Sequence, residues 1–347
     1  MRRGPCSKAR AIPLAEWLYE DGIGEARAAL VEGGTIIAAF VEPDQTAARP
    51  GDIRSAKLAE ILPNKRIGRL ELEGCEEALL EPLAPYVTEG ASLLVEIVRS
   101  AIPEPGRRKR ARAWPAAKGR SEGPAPSLRE RLTASDVPVR TLASHESDEL
   151  EAAGWSELLE QAATGSIPFP GGALRIALTP AMTVIDVDGV LPPADLACAG
   201  AKAAGEAIRK FDIGGSTVID LPSLSVKAER QAAVEALDAA LPKPFERTAV
   251  NGFGLLQIVR RRPRPSLLEY AQYESAATAA RGLLRRVEHV AGSGERTMTT
   301  HPAILTQFAD HPDWIATLER RIGAPVTMQA NPALSLWAGD VSAAHPA

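Results

Sequence analysis

Short apolar runs broken by turn residues fill the first hundred positions. ARAALVEGG (26–34), TIIAAFVEP (35–43), GDIRSAKLAEIL (51–62), RIGRLELEG (66–74) and ASLLVEIVRS (91–100) read as strands. Strands at such close spacing predict a small barrel or sandwich. The stretch before them, 1–22, reads as a loose leader, and 23–102 as the barrel with flanking strands. From 103 to 140 the pattern breaks. PEPGRRKRARAWPAAKGRSEGPAPS has no apolar period and is rich in Pro, Gly, Arg and Lys, which predicts an exposed basic linker.

From about 141 the pattern turns α/β. LRIAL (174–178) and MTVIDVD (182–188) read as strands joined by a turn at Thr179-Pro180-Ala181, and ADLACAGAKAAGEAIRKF (194–211) as a helix stopped by Gly214-Gly215. STVIDL (216–221) is a strand and SVKAERQAAVEALDAAL (225–241) a helix with Ser225 as its cap; RTAV and GLLQIVR are further strands. The order β-β-α-β-α-β-β predicts a mixed sheet with helices packed on it over 141–268. The remainder, 269–347, alternates helix, strand, helix, strand and predicts a small α/β domain.

The chain has 347 residues, 45% hydrophobic and 24% charged, with a net charge of −4, so a nucleic-acid partner would need local basic patches. Cys6, Cys75 and Cys198 lie far apart and support neither a disulfide framework nor a cysteine zinc site, which makes the cytoplasm the expected location. No apolar run approaches the ~18 residues of a membrane helix. The abundance of alanine carries no functional meaning at this level. His145, His289, His301, His311 and His345 show no metal-ligand spacing; His301-Pro302 and Asp310-His311-Pro312 read as helix-start and turn chemistry.

The sharpest chemistry sits on MTVIDVDG. Asp186 and Asp188 are two residues apart, so a strand directs both to one face. Asp220 ends the run STVIDL. Carboxylates buried in a core strand are costly unless a cation holds them, and Mg²⁺ takes oxygen ligands of this kind. Asp186 and Asp220 would then be ligands, with Asp188 a third ligand or an orienter of water. The competing reading is strand-end aspartates that cap turns. Arg107, Arg108, Lys109, Arg110 and Arg112 form the densest basic cluster, either a solvated loop or a phosphate-contacting segment. Arg247, Arg260, Arg261, Arg262 and Arg264 present the same alternative near the acids.

Two resemblances bear on these residues. VIDVDGVL resembles the opening motif of haloacid-dehalogenase-type phosphatases, which would make Asp186 a nucleophile and Asp188 an acid/base; here, however, the motif lies mid-chain, and the later Lys and acidic pair are not evident. A longer one runs from GGALRIALTPAMTVIDVDG through AIRKFDIGGSTVIDLPSL to GFGLLQIVRRRPRPSL, about 95 residues. In order and spacing it is similar to the catalytic core of the ribonuclease E/G family. EARAALVEGG, GDIRSAKLAEILPNKRIGRLEL and YVTEGASLLVEIV resemble that family's N-terminal segment with its OB-fold RNA-binding barrel, and the tail resembles its small domain. The resemblance implies an Mg²⁺-dependent endoribonuclease, with Mn²⁺ as a substitute, cutting single-stranded RNA. By position, Asp186 and Asp220 stand where the family has metal-binding aspartates, and Asp188 where it has a supporting asparagine. An RNA-binding protein with little catalysis is the other expectation. The family's zinc-link cysteine pair is absent, so a homodimer would form without it, and the region that senses a 5′ monophosphate is largely missing. Leu70 and Leu80 fall where the family's barrel shows RNA-stacking aromatics.

Overall fold

The computed structural model describes residues 15–44, 48–74, 76–144 and 146–345; Cys6, Cys75, His145 and most of the expected leader lie outside them. The described part of that leader is not loose. β1 (Glu16–Asp21), β2 (Glu25–Glu32) and β3 (Thr35–Pro43) form an antiparallel meander. β1 is buried on both faces. Trp17 and Tyr19 meet Leu128 and Leu132, while Leu18 joins the main core on the other side. With both faces covered, the strand shows no alternation that would announce it.

β4 (Ile53–Ile61), β5 (Gly68–Leu72), β6 (Glu77–Leu80) and β7 (Ser92–Arg99) are followed by the hairpin β8 (Ile102–Glu104)–β9 (Arg107–Lys109) and by β10 (Ala111–Pro115). A five-stranded barrel closes in the order β10-β6-β5-β4-β7. This corrects the linker expectation, because β10 comes from within 103–140 and seals the barrel. Its inward residues are Ala111 and Ala113, too small to give an apolar signal, while Arg112 and Trp114 point outward. Leu70 and Leu80 are also corrected. Both are buried in the barrel core, so neither occupies an RNA-facing position.

α1 (Leu128–Thr133) starts with a Ser127/Glu130 capping box, and β11 (Val139–Leu142) pairs parallel with β1 as the fourth strand of the first sheet. After α2 (Glu149–Ala152) and α3 (Trp155–Thr164) come β12 (Ser166–Phe169), β13 (Gly172–Leu178), β14 (Thr183–Gly189), α4 (Pro193–Lys210), β15 (Gly215–Asp220), α5 (Lys227–Ala240), β16 (Glu246–Arg247) and β17 (Leu255–Arg260). The mixed sheet has the order β12-β13-β14-β15-β17-β16. α5 begins after Val226, so Ser225 does not cap it.

α4 packs against β12, β13 and β14 and also touches β3 and α5, so it lies between two sheets. Its buried residues include Ala197, Gly200, Ala201, Ala204, Gly205 and Ala207. Small residues let the backbones approach. A Cβ on Gly200 would stand 2.3 Å from Val187 Cγ1. Gly200→Ala normally favours a helix by about 1 kcal/mol, but here the stiff Val187 side chain must shift, an overpacking cost of about 1–3 kcal/mol. The expected result is a lower urea midpoint for Gly200→Ala; an equal or higher midpoint would count against this packing.

The tail runs through α6 (Leu267–Tyr273), α7 (Ser275–His289), β18 (Ser293–Thr300), α8 (Pro302–Asp310), α9 (Pro312–Ile322), β19 (Val326–Ala330) and β20 (Gly339–His345), with a three-stranded sheet ordered β19-β18-β20. β20 adds a strand the pattern did not show, since GDVSAAH has little apolar character. His301 caps α8 through Nδ1, which accepts from the Ala303 amide at 3.1 Å, and His311 separates α8 from α9. Among the described residues no helix is long and apolar enough to cross a membrane.

A buried ion network ties this tail to the first sheet. Arg27 bonds Glu20 at 2.8 Å and meets Glu25 at 3.1 Å; Arg281 and Arg285, one turn apart on α7, bond Glu25 at 2.7 Å and Glu20 at 3.1 Å. Arg285 also holds Asp148. Burial pushes the Glu20 carboxyl up, but His289, Arg27 and Arg285 outweigh it and hold it down to about 2. His289 Nε2 stands 3.9 Å away, beyond hydrogen-bond range, so the two guanidinium groups dominate. A free carboxyl titrates near 4.3, so the unfolded chain takes up this proton first. Glu20 therefore contributes stability that is complete above about pH 4.5 and fades as the pH falls toward its folded value. Glu20→Gln should lower the urea midpoint at neutral pH, with a gap from the parent that narrows toward about pH 3. A gap independent of pH would contradict the assignment.

Candidate active site

β14 and β15 run parallel because α4 crosses over between them, and their register sets Asp186 directly beside Asp220. Neighbouring strands lie about 4.8 Å apart. The opposite face of the sheet, with Ile185, Val187, Ile219, Leu256 and Ile258, is buried. The acids stand on the other face, and Asp186, Asp188 and Asp220 are all exposed. The expectation of buried carboxylates is thereby corrected: water and ions reach all three without a core desolvation cost.

Asp188 does not join the pair as a third close ligand. It lies two residues further along β14, about 6.7 Å by strand rise, and its Oδ2 is 3.7 Å from Arg175 Nε. Both side chains of that ion pair are about two-thirds exposed, so it contributes only about 0–1 kcal/mol. Among the described residues no group of three or more His, Cys, Asp or Glu side chains is placed to hold a metal ion. What the structure does assemble is a row across three strands: Arg175, Asp186, Asp220. Sequence reasoning passed over Arg175, although its place in the alternating run ALRIAL put it on the polar face of the hairpin. The donor chemistry suits Mg²⁺, which is commonly bound through one or two carboxylates with waters and substrate oxygens completing its shell.

The basic residues divide into two sets. Arg247, Arg260, Arg262 and Arg264 serve the scaffold. Arg247 holds Asp238 of α5 at 2.7 Å. Arg260, whose guanidinium burial pushes its pKa down, donates to the carbonyls of Ile208 and Ile213 at the end of α4. Arg262 pairs with Glu269, which also accepts from the Ser266 amide in the capping box of α6. Arg264 bonds Asp212 at 2.8 Å and lies over the Phe40 ring. The run RRRPRPSL thus clips β17 and α6 onto the end of α4.

The second set lies on the β8–β9 hairpin and on the barrel strand that follows it. Arg107 and Lys109 pair with Glu104, Arg108 with Glu274, Arg110 with Glu77, and Arg112 stands 3.8 Å from Glu81. Arg107 and Arg108 remain mostly in solvent despite these partners. On β10, Arg112 and the half-exposed Trp114 share the outer face, and Arg112 is the cross-strand partner of Arg99. Burial, with like charge from Arg112 and Arg262, pushes the Arg99 guanidinium down to about 10, and its buried Nε has no hydrogen-bond partner among the described residues. The alternation in ARAWP was the available signal for Trp114. Ser100 joins the barrel to the core by donating from its amide to Pro263 O at 2.9 Å.

A cavity of about 420 Å³ opens where the barrel meets α6 and α7, lined by Glu76, Arg108, Tyr273, Glu274 and Arg281 among others, but not by Asp186, Asp188 or Asp220. The acid row is a surface site, separate from the cavity.

Comparison with known proteins finds relatives of part of the chain. Part of the chain is 28% identical over 134 residues to ribonuclease G of Escherichia coli K12, covering 35% of this chain and 27% of that protein. Ribonuclease G of Shigella flexneri and of Salmonella typhimurium match to the same extent. The match thus spans about a quarter of the length of those relatives. No family model matches the chain.

Like charges directly across a strand pair are destabilising by about 0.2–1 kcal/mol. Asp220→Asn should therefore raise the thermal midpoint slightly in a chelator. Mn²⁺ should raise the midpoint of the parent protein but not of Asp220→Asn. An identical response of both to Mn²⁺ would remove the pair as a cation site.

Proposed function

We propose that the protein is an endoribonuclease that hydrolyses single-stranded RNA with Mg²⁺ held by Asp186 and Asp220. The observation that carries this reading is their side-by-side register on the exposed sheet face. The partial likeness to ribonuclease G supports it. The phosphatase reading of VIDVDGVL has no comparable support.

A divalent cation bound there supplies positive charge beside a phosphodiester and makes a neighbouring water more acidic. The protein's own groups do the rest. Arg175, in the same row, offers a guanidinium to a phosphate oxygen as charge builds on it. Asp188 can accept a hydrogen bond from the attacking water and so orient it toward phosphorus, in line with the P–O bond that breaks. On the barrel, Arg110, Arg112 and Trp114 offer the strand guanidinium groups and an aromatic face, and Arg107, Arg108 and Lys109 extend the basic surface along the hairpin. An open face rather than a pocket suits a polymer, which lies across a surface.

A labelled, unstructured RNA incubated with Mg²⁺ should be cut internally. Asp186→Asn and Asp220→Asn should each slow cleavage at least about 100-fold, while RNA retention persists. Equal cleavage by parent and variants would refute the assignment. RNA binding should weaken with salt, each phosphate contact adding about −0.7 to the log–log slope. Arg112→Ala should make the slope shallower by about that amount; an unchanged slope would take Arg112 out of the binding surface.

A further inference from the structure

The loop between β16 and β17 carries a feature that the acid row does not explain. Phe253 is 82% exposed. A single exposed apolar side chain is ordinary, but this one is displayed by a loop tied down on every side. Asn251 Oδ1 accepts from the amides of Phe253 at 2.9 Å and Leu255 at 3.0 Å, and the Gly254 amide donates to Asn251 O at 3.2 Å. Ser223 Oγ donates to Phe253 O at 3.3 Å, and the Leu221 amide donates to Gly254 O at 3.2 Å. Gly254 has φ +91°, and a Cβ there would fall 2.1 Å from Leu221 O. Only glycine lets the loop lie this tightly against the strand end that bears Asp220.

The position follows from the register. Leu255, itself 37% exposed, is the cross-strand partner of Asp220. On the other side, Val190 is 92% exposed just past Asp188 and Gly189. Leu255 thus stands directly across from Asp220 on one side of the pair, with the Phe253 loop at that strand end, while Val190 lies further out, past the end of β14. A phosphodiester placed at the acids has a nucleoside on each side. In single-stranded RNA those bases are unstacked and gain from an aromatic face, whereas in a duplex they are already stacked on each other.

We propose that Phe253 is a stacking platform for one nucleobase of single-stranded RNA, the base next to the phosphate held at Asp186 and Asp220. The proposal rests on the nuclease reading and adds a binding subsite to it. Because the loop is already ordered, stacking requires little further loss of backbone freedom. Every base has a π-face, so the subsite favours unpaired RNA over duplex without selecting a sequence.

The test is anisotropy of a short labelled RNA in a chelator, where nothing is cut, with parent, Phe253→Ala and Phe253→Trp proteins. Phe253→Ala should bind about 5- to 150-fold more weakly, the range for losing one base stack. Phe253→Trp should restore binding, and the thermal midpoints of all three should agree. RNA with a single abasic site, moved along the strand, should reveal one position that weakens the parent to the same degree and has no further effect on Phe253→Ala. Duplex RNA should not distinguish the proteins. Equal binding and cleavage of RNA by parent and Phe253→Ala would overturn the proposal while leaving the nuclease reading in place. So would a change in oligomeric state with RNA binding unchanged, which would make the loop a contact between copies. A parent protein that neither binds nor cuts RNA would remove both.

Discussion

The tight contact between α4 and the sheets on either side of it is the constraint on which the rest depends. Alanine and glycine along the helix let it lie between the mixed sheet and β3 with little space to spare. That closeness carries the crossover from β14 to β15 over the sheet, and the crossover makes the two strands parallel neighbours. The meeting of Asp186 and Asp220 is a consequence of this packing. Among the described residues neither acid has a side-chain hydrogen bond; each is where its strand puts it. The functional geometry is thus stabilised by apolar burial on the far side of the sheet rather than by contacts at the site.

Charge is distributed according to the same division. Arginines from the end of β17 close the bottom of the core, reaching helix-end carbonyls and the Asp212 and Glu269 carboxylates. Arg281 and Arg285 enter the network under the first sheet, where Glu20 and Glu25 complete their partners. Removing one partner from such a network leaves a buried charge uncompensated, which is strongly destabilising. Unlike these, Arg175 and the outward residues Arg112 and Trp114 of β10 keep much of their exposure. They sit on surfaces that can meet a charged polymer, and the loosely held pair of Arg175 and Asp188 leaves both groups available.

The barrel shows how the same alternation can serve structure and surface at once. Ala111 and Ala113 fill the interior left by Leu58, Leu70 and Leu80, while the residues between and beside them face outward. A segment with the composition of a linker is thus a closing strand, because a barrel already filled by Leu58, Leu70, Leu80 and Ile97 from the other four strands leaves room for small residues on the fifth.

The sequence by itself determined the mixed α/β core, its element order and the candidate acids, because strand period, glycine stops and the IDVD and VID runs are local signals. It also pointed to the barrel from the spacing of its strands. What it could not supply was β1, β10 and β20, whose residues are buried on both faces, or small, or scarcely apolar, and so carry no periodicity. Nor could it say which arginines are occupied by the scaffold, that Arg175 shares a row with the acids, or that Phe253 stands exposed in a loop bonded to the end of the strand that bears Asp220. Those facts depend on which strand lies next to which, and only long-range packing around α4 decides that.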